Sequence, residues 1–437
     1  MFVVCTNKQF TLKLKPVNEE ERLSEPLRES LRKTPYSPPE SHADVSIKSF
    51  LISLLPDLSI SGSDVRTKIK DFALCCAALA SAPNATTEHL SWVPNALSLS
   101  AVSAFEEFAK LYCDDSMHAN CLMKVDGLEL DLSGVMESEK RLVVDLMPEI
   151  LTMLKGSIKE SAIDASDESD GVSAASARAP VAYAILAAYQ FRWFVTQVDA
   201  PYIGKLCPLV IPCALTALDH WSPEVKGQGM ISFIYLAKNV NAAEVGGYAD
   251  VILDACCQNI ASDDEIWHYV VEMSVLLLNL TQKSNPRSSW YEKLTNEMLN
   301  HLERQPRNKQ RRISWLKHCE VLFNGLGLVL LAHFRRLFPL FFKWMHADDD
   351  ETVTLVLERV ITVVRLTWIR NSPYIERLVD ELVTLYKDAA LKVAREHIRS
   401  LIPQTLNLIR LCKRPEFDAT WFKYKDDPNL TALMEVC

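Results

Sequence analysis

The chain has 437 residues, of which 49% are hydrophobic and 24% charged, with only 12 glycines and a net charge of −9. A chain of this length exceeds what one globular core supports, so it must split or extend. Few glycines disfavour a turn-rich all-β fold. The acidic balance argues against nucleic-acid binding through a dominant basic face, because phosphate neutralisation needs clustered Lys and Arg.

The 12 cysteines are scattered and form no Cys-x-x-Cys pair, which indicates buried thiols in a reducing compartment rather than disulfides or zinc. The first ten residues lack the features of a secretory signal. The strongest apolar run, 321–334, is shorter than the roughly 20 residues that cross a bilayer. We expect a cytoplasmic protein that binds no membrane, and nuclear access is left open.

The N-terminal half begins with a proline-rich stretch. Residues 1–40 contain five prolines and a polar run at 18–21, which predict a largely flexible tail with at most one short helix near 19–33. Helical periodicity then predicts N-terminal repeats over 41–156. Asp64-Val65-Arg66 opens one of these helices, with Asp suited to capping, Val to packing inward and Arg to pointing outward.

Two segments of the N-terminal half alternate with period two instead. Leucine and phenylalanine alternate with polar residues at 10–14 and at 128–132. The pattern fits strands with one apolar face each, which could pair as a small ribbon at the N-terminal end of the stack. Two unrelated extended loops fit the same pattern, because an isolated two-stranded ribbon is marginal in water.

Residues 157–178 interrupt the helical pattern with serines and acids and almost no large apolar side chain. Such a composition cannot offset the entropy lost on ordering, which predicts a disordered insertion. Ser166 and Ser169 precede acidic residues, a context that acid-directed kinases favour. We name both as candidate phosphorylation sites.

The C-terminal half, 179–437, carries the clearest repeat. Five predicted turns centre on Asp219, Asp263, Pro306, Asp348 and Asp388, so consecutive turns are 44, 43, 42 and 40 residues apart. Helix-length apolar-periodic segments flank each turn. Two helices per unit at this period are typical of HEAT and armadillo repeats. We predict an all-α fold, a HEAT/armadillo-like superhelix or solenoid with about five helix pairs over 179–413.

The first pair of this half carries the candidate binding residues. Asp219 closes the first helix, and Lys226 and Gly229 follow in the second, where a small residue allows a close helix crossing. Arg192 and Trp193 belong to an aromatic cluster just before this pair. Arg and Trp are frequent in binding hot spots, although burial inside a solenoid is the commoner fate of Trp.

Charged clusters occur at three of the turns. The acidic runs at 263–265 and 348–351 stand where second helices begin, which favours capping over metal binding. Arg311 and Arg312 belong to the only dense basic run, 304–317. An acidic partner could bind this run, and a merely solvated turn is the plainer interpretation. Nothing resembles a nucleophile elbow, a P-loop or a metal motif, so we expect no enzymatic activity, no cofactor and no metal.

Residues 181–240 resemble the family of the second TELO-interacting protein, a subunit of the TTT co-chaperone complex. The similar features are the helix end FRWFVTQV, the entry at 201–204, PLVIPCALTALD leading to Asp219, and VKGQG from Val225. The resemblance implies a helical scaffold that supports maturation of PI3-kinase-related kinases with larger helical-repeat subunits and a chaperone system. The runner-up is a transport-receptor or cargo-adaptor solenoid of the same architecture.

Overall fold

The structure is a computed structural model in which the described residues are 17–39, 45–56, 65–85, 88–114, 123–125, 128–130, 137–162, 179–370, 373–391 and 395–436. The chain divides into two compact units, the first ending at Ser232 and the second beginning at Phe233. In the described residues all regular structure is helical apart from two strands of three residues each. The predicted fold class, an all-α solenoid of HEAT or armadillo type, is confirmed.

The first unit contains nine complete helices and the start of a tenth among its described residues. They are α1 (Val17–Lys33), α2 (Ile47–Leu54), α3 (Val65–Ser81), α4 (Glu88–Ser91), α5 (Asn95–Asp114), α6 (Ser138–Glu160), α7 (Val181–Thr196), α8 (Tyr202–Lys205), α9 (Cys207–Leu218) and α10 (Pro223–Asn239). Helix α3 packs against α1, α2, α5 and α7, and α6 packs against α5, α7 and α9. Helix α3 is therefore buried on most sides, with Phe72 edge-on to Phe108 of α5 at 5.4 Å between ring centroids.

Arg66 at the start of α3 joins that helix to α6. Its Nε donates to Glu149 at 3.0 Å and a terminal nitrogen donates to the backbone oxygen of Asp145 at 2.9 Å. The side-chain carboxylate of the same Asp145 accepts a hydrogen bond from the Tyr112 hydroxyl of α5 at 2.7 Å. The prediction that Arg66 points outward is wrong, because the two acids of α6 draw it across the helix interface. Asp64 lies outside the described residues.

The predicted boundaries of the tail and the insertion need correction. Residues 17–33 form a helix whose Leu23, Leu27 and Leu31 are buried against the unit, because their spacing puts all three on one face. The one helix that the sequence allowed near 19–33 is therefore present, as α1, but it is packed and does not belong to a flexible tail. Helix α6 continues to Glu160, so the insertion does not begin at 157. Ser166 and Ser169 lie outside the described residues.

The predicted ribbon is partly found. Strands β1 (Met123–Val125) and β2 (Leu128–Leu130) pair antiparallel, with Met123 opposite Leu130. Residues 128–130 are thus a strand, but their partner in the described part of the chain is 123–125. Residues 10–14 lie outside it. A partner two residues away closes a far shorter loop than one more than a hundred residues away, and so loses less chain entropy.

The second unit contains the remainder of α10 and eleven further helices among its described residues. They are α11 (Ala242–Val245), α12 (Ala249–Asn259), α13 (Trp267–Gln282), α14 (Ser289–Arg304), α15 (Lys309–Leu326), α16 (Phe334–Met345), α17 (Asp350–Thr367), α18 (Ile375–Ala390), α19 (Glu396–Cys412), α20 (Arg414–Trp421) and α21 (Thr431–Val436). The first helices α12, α14, α16 and α18 pack in sequence, and so do the second helices α13, α15, α17 and α19. Each helix pair of the repeat therefore buries its apolar face against the neighbouring helix pairs.

The described residues 207–412 contain the five predicted helix pairs: α9/α10, α12/α13, α14/α15, α16/α17 and α18/α19. Asp219, Asp263, Pro306 and Asp348 lie in the turns of the first four pairs. The fifth predicted turn is wrong, because Asp388 is in the last turn of α18, which ends at Ala390. An exposed Asp is tolerated on the solvent face of a helix end, so it does not mark the end itself.

The stretch Lys309–Met345 is long and apolar enough, by length and composition alone, to cross a membrane. It comprises α15, a 3-10 segment and α16, and Gly327 breaks it with a φ of 51°. Trp315, Phe323 and Phe338 are fully buried within the unit. Packing between repeats accounts for the apolar character of this stretch.

Candidate protein-interaction surfaces

The α9–α10 hairpin is the best-defined element among the predicted binding residues. A Cβ placed on Gly229 would lie 2.9 Å from the Ala217 Cβ and 3.2 Å from the Ala214 backbone oxygen. Gly229 is therefore the close crossing that the sequence predicts, and it is buried. It is unavailable to a partner, which corrects its assignment as a binding residue. Asp219 is the exposed C-cap of α9, and Lys226 is half-buried one turn into α10.

His220 and Trp221 in the same hairpin were missed as structural residues. His220 is buried, and its Nδ1 accepts a hydrogen bond from the Ser222 amide at 3.0 Å. Its Nε2 is 3.1 Å from the Ser161 hydroxyl at the end of α6. Burial is the main cause that lowers the pKa of His220 to about 4. Because Nδ1 accepts from an amide, the neutral Nε2–H tautomer fits the site, and His220 ties the hairpin to α6.

Arg192 and Trp193 lie on α7 and are half-buried. The Arg192 guanidinium carbon is 5.2 Å from the centre of the Tyr189 ring. Trp193 meets Phe105 of α5 edge-on, with ring centroids 5.0 Å apart. Trp193 therefore contributes to the packing between α5 and α7. This is burial inside the solenoid, which the sequence analysis gave as the commoner alternative to a binding hot spot.

Arg311 reaches back to the preceding repeat. Its Nε donates to the Asp264 carboxylate at 2.5 Å, and a terminal nitrogen donates to the Ser262 backbone oxygen at 2.9 Å. Its guanidinium carbon lies 5.2 Å from the centre of the Trp267 ring. The hydrogen bond from Arg311 is the main cause that lowers the pKa of Asp264. Arg311 is buried and holds the α12–α13 turn to α15, so it is a structural residue.

Arg312 reaches forward to the next repeat. It pairs with the Asp349 carboxylate and donates through Nε to the Thr352 hydroxyl at 3.0 Å. Asp349 is the N-cap of α17 and accepts from the Thr352 amide at 2.9 Å. Burial raises the pKa of Asp349, but the hydrogen bonds from Thr352 and Arg312 outweigh burial and lower it overall. Arg311 and Arg312 thus join three consecutive repeats from adjacent positions.

The acidic runs have different roles from one another. Asp349 caps a helix as predicted. The run at 263–265 does not cap, since α13 begins only at Trp267, and Asp264 serves Arg311 instead. Asp350 pairs with Arg395 at 2.7 Å. Among the described residues no cluster of three or more His, Cys, Asp and Glu side chains could hold a metal ion.

A row of exposed apolar side chains lies at one edge of the second unit. Leu328, Trp368 and Leu411 are 51%, 60% and 84% exposed, and they stand at the C-terminal ends of α15, α17 and α19. They are 40 and 43 residues apart, which is the period of the repeat. Since the second helices are packed side by side and each follows its first helix through a turn, their C-terminal ends share one edge. We call these three residues the apolar edge.

Trp368 is held in an unusual backbone conformation. Its φ and ψ are 53° and 23°, in the left-handed region, and Ile369 also has a positive φ of 47°. Large side chains in this region cost of order 1–3 kcal/mol each. Ile369 is fully buried, whereas Trp368 points into solvent. The strained turn therefore anchors itself through Ile369 and presents an indole to the surface.

Cationic side chains flank the apolar edge. Lys283 and Arg287 follow α13, and Arg365 and Arg370 lie on either side of Trp368; all four are exposed. Lys283 also lines a pocket of about 570 Å³ between the ends of α10 and α13. Sequence patterning could not single these residues out, because Lys and Arg near helix C-termini are common. The one available signal was the recurrence of a large apolar residue at the C-terminal ends of three of the second helices.

The described fold and its repeat-to-repeat contacts define a helical-repeat protein. No family model matches the chain. The chain is 56% identical over 415 residues to the uncharacterized protein At2g39910 of Arabidopsis thaliana, covering 95% of this chain and 93% of the relative. The chain therefore belongs to the family of that Arabidopsis protein.

A second relative connects the chain with the resemblance found in the sequence. The chain is 23% identical over 215 residues to human TELO2-interacting protein 2, covering 46% of this chain and 42% of the human protein. Among solved structures, an engineered protein aligns with 97% of this chain and 98% of its own, at 11% identity and a TM-score of 0.45. Kap121p bound to Pho4p aligns with 96% of this chain and 43% of its own, at 9% identity and a TM-score of 0.45.

Proposed function

We propose that the chain is a non-enzymatic scaffold that binds other proteins, and that it is a subunit of a TTT-like co-chaperone assembly. The observation that carries the finer part is the match to human TELO2-interacting protein 2, whose name states that it binds TELO2. The resemblance of residues 181–240 to the same family points the same way. In this role the chain would support maturation of PI3-kinase-related kinases.

The chemistry of the described surface supports binding rather than catalysis. Two of the charged residues that the sequence singled out are engaged in structural pairs, Arg311 with Asp264 and Arg312 with Asp349. Burial raises the pKa of the Cys256 thiol to about 12, which leaves it a poor nucleophile. Exposed apolar side chains recur at the period of the repeat, and a scaffold uses such residues to hold partners.

The partners we propose are larger helical-repeat subunits and a chaperone system, met in the cytoplasm and also in the nucleus. The test is affinity purification of the tagged full chain from Arabidopsis cells, followed by mass spectrometry. We expect two larger helical-repeat proteins to co-purify in near-stoichiometric amounts. We also expect depletion of the chain from the cells that produce it to lower the steady-state level of PI3-kinase-related kinases without lowering their messenger RNA.

The runner-up makes a different prediction for the same experiment. A transport receptor would retain a small GTPase and basic cargo, and the kinases would be unaffected by depletion. That outcome would reject the co-chaperone role while keeping a protein-binding scaffold. An unrelated helical-repeat protein carrying the same tag is the control for non-specific capture.

A further inference from the structure

We propose that the apolar edge docks an acidic amphipathic helix of a partner protein. Leu328, Trp368 and Leu411 would contact its apolar face, and the flanking cations would contact its carboxylates. The inference rests on the proposed protein-binding function, but it does not depend on the partner being a TTT subunit.

The geometry sets the size of the occupant. Packed helices lie about 8–10 Å apart, so a row across the ends of α15, α17 and α19 spans roughly 20 Å. A helix rises 1.5 Å per residue, so about 13 residues, or nearly four turns, would cover the row. Three apolar anchors at this spacing match the one-sided apolar stripe of an amphipathic helix.

Charge sets the sign of the occupant. Lys283, Arg287, Arg365 and Arg370 are exposed, and none of the ion pairs found within the described residues uses them. This edge is thus locally cationic in a chain of net charge −9. An acidic partner would find complementary charge there, and a basic one would not.

A protein helix suits the edge better than a lipid surface. The net charge of −9 would repel the chain from an anionic membrane, whereas a short helix meets only the local field of the edge. The apolar side chains also form a row rather than a broad patch, and a row buries against a helix. Trp368 is the type of residue that dominates such contacts.

The test uses a synthetic amphipathic helix of about 15 residues with one leucine face and one glutamate face, labelled for fluorescence anisotropy. We expect the full chain to bind this peptide and to lose affinity as salt rises. A matched peptide with lysine in place of glutamate should not bind. Trp368→Ala should weaken binding about tenfold or more, and the double variant Arg365→Glu, Arg370→Glu should weaken it similarly.

Leu391→Ala is the matched control, because Leu391 is 85% exposed in the same unit but follows a first helix, at the opposite edge. Its affinity should equal that of the unmodified chain. Equal binding of both peptides, no binding of either, or equal weakening by Leu391→Ala would overturn the proposal. So would binding to phosphatidylserine vesicles that depends on Trp368 in the absence of peptide binding.

Light scattering adds one more outcome: a dimer that Trp368→Ala dissociates would show that a second copy occupies the edge, contrary to the proposal. The two proposals fail separately. Peptide binding with no co-purified helical-repeat subunits would reject the TTT-like role alone. Co-purification that persists in Trp368→Ala, with no peptide binding, would reject the edge alone.

Discussion

Arg312 and Asp349 join two consecutive repeats through one carboxylate that performs two tasks. Asp349 accepts from the Thr352 amide as the N-cap of α17, and it pairs with Arg312 of α15. Both side chains are about seven-eighths buried, at 12% and 14% exposure. The carboxylate therefore fixes the start of one helix relative to the flank of the previous pair.

We expect Arg312→Ala to lower the free energy of unfolding of the second unit by about 1–3 kcal/mol, because it leaves the part-buried Asp349 carboxylate with only the longer contact to Lys309, at 3.9 Å. Urea denaturation of the full chain, followed by hydrogen exchange of 309–326 and 350–367, measures it. Arg304→Ala is the matched control from the same basic run, at an exposed position, and should change stability by less than about 0.5 kcal/mol. Equal effects of the two substitutions would show that the pairing is not what stabilises the turn.

The architecture could be predicted because the signals of the repeat are local. Four of the five turns were located from turn residues between apolar-periodic segments, and four helix pairs follow from them directly. Asp388 misled because an acid is equally at home on the exposed face of a helix end. Helix α1 was undervalued for a similar reason, since its burial depends on the rest of the unit and not on its own composition.

The roles of single charged residues could not be predicted, because they depend on neighbours about forty residues away. Arg311 and Arg312 are adjacent in sequence, yet one reaches back to Asp264 and the other forward to Asp349. A run of basic residues shows charge but not partners. The apolar edge was missed because exposure at a helix end is a property of the stacked repeat.

Gly229→Ala should destabilise the α9–α10 hairpin by about 1–3 kcal/mol. The added methyl would lie 2.9 Å from the Ala217 Cβ and 3.2 Å from a backbone oxygen. We expect the cost of these close contacts to exceed the free energy gained from the higher helix propensity of alanine. Thermal unfolding and hydrogen exchange of 207–239 report it. Gly156→Ala in α6 is the matched control, because nothing lies within 4 Å of its Cβ position. There we expect a gain of about 0.5–1 kcal/mol. Destabilisation of similar size in both would argue against the close crossing.

His220 should make the first unit sensitive to mild acid. Its pKa is lowered from 6.5 to about 4, so the folded state favours the neutral ring. The unfolded state binds more protons between these two values, so stability is fully present above pH 6.5 and falls as the pH drops towards 4. The full loss, reached below pH 4, is of order 3 kcal/mol.

Urea midpoints of the unmodified chain and His220→Asn across this pH range test the prediction. The variant should be less stable at neutral pH, and the difference between the two should shrink towards pH 4. A constant difference between His220→Asn and the unmodified chain would rule out titration of this residue.

Trp368→Gly should stabilise the chain while it weakens binding at the apolar edge. Glycine adopts the left-handed conformation of Trp368, whose φ is 53°, without a steric penalty, and the Trp368 side chain is 60% exposed. We expect the free energy of unfolding to rise by about 1 kcal/mol, measured by urea denaturation.

Ile369→Gly is the informative counterpart, because Ile369 has a φ of 47° but is fully buried. There the lost packing should exceed the relieved strain and destabilise the chain by about 2 kcal/mol or more. The same two variants in the anisotropy assay should separate the roles: Trp368→Gly loses peptide affinity although it is more stable. If Trp368→Gly is instead destabilised and binds normally, the indole serves the fold rather than a partner.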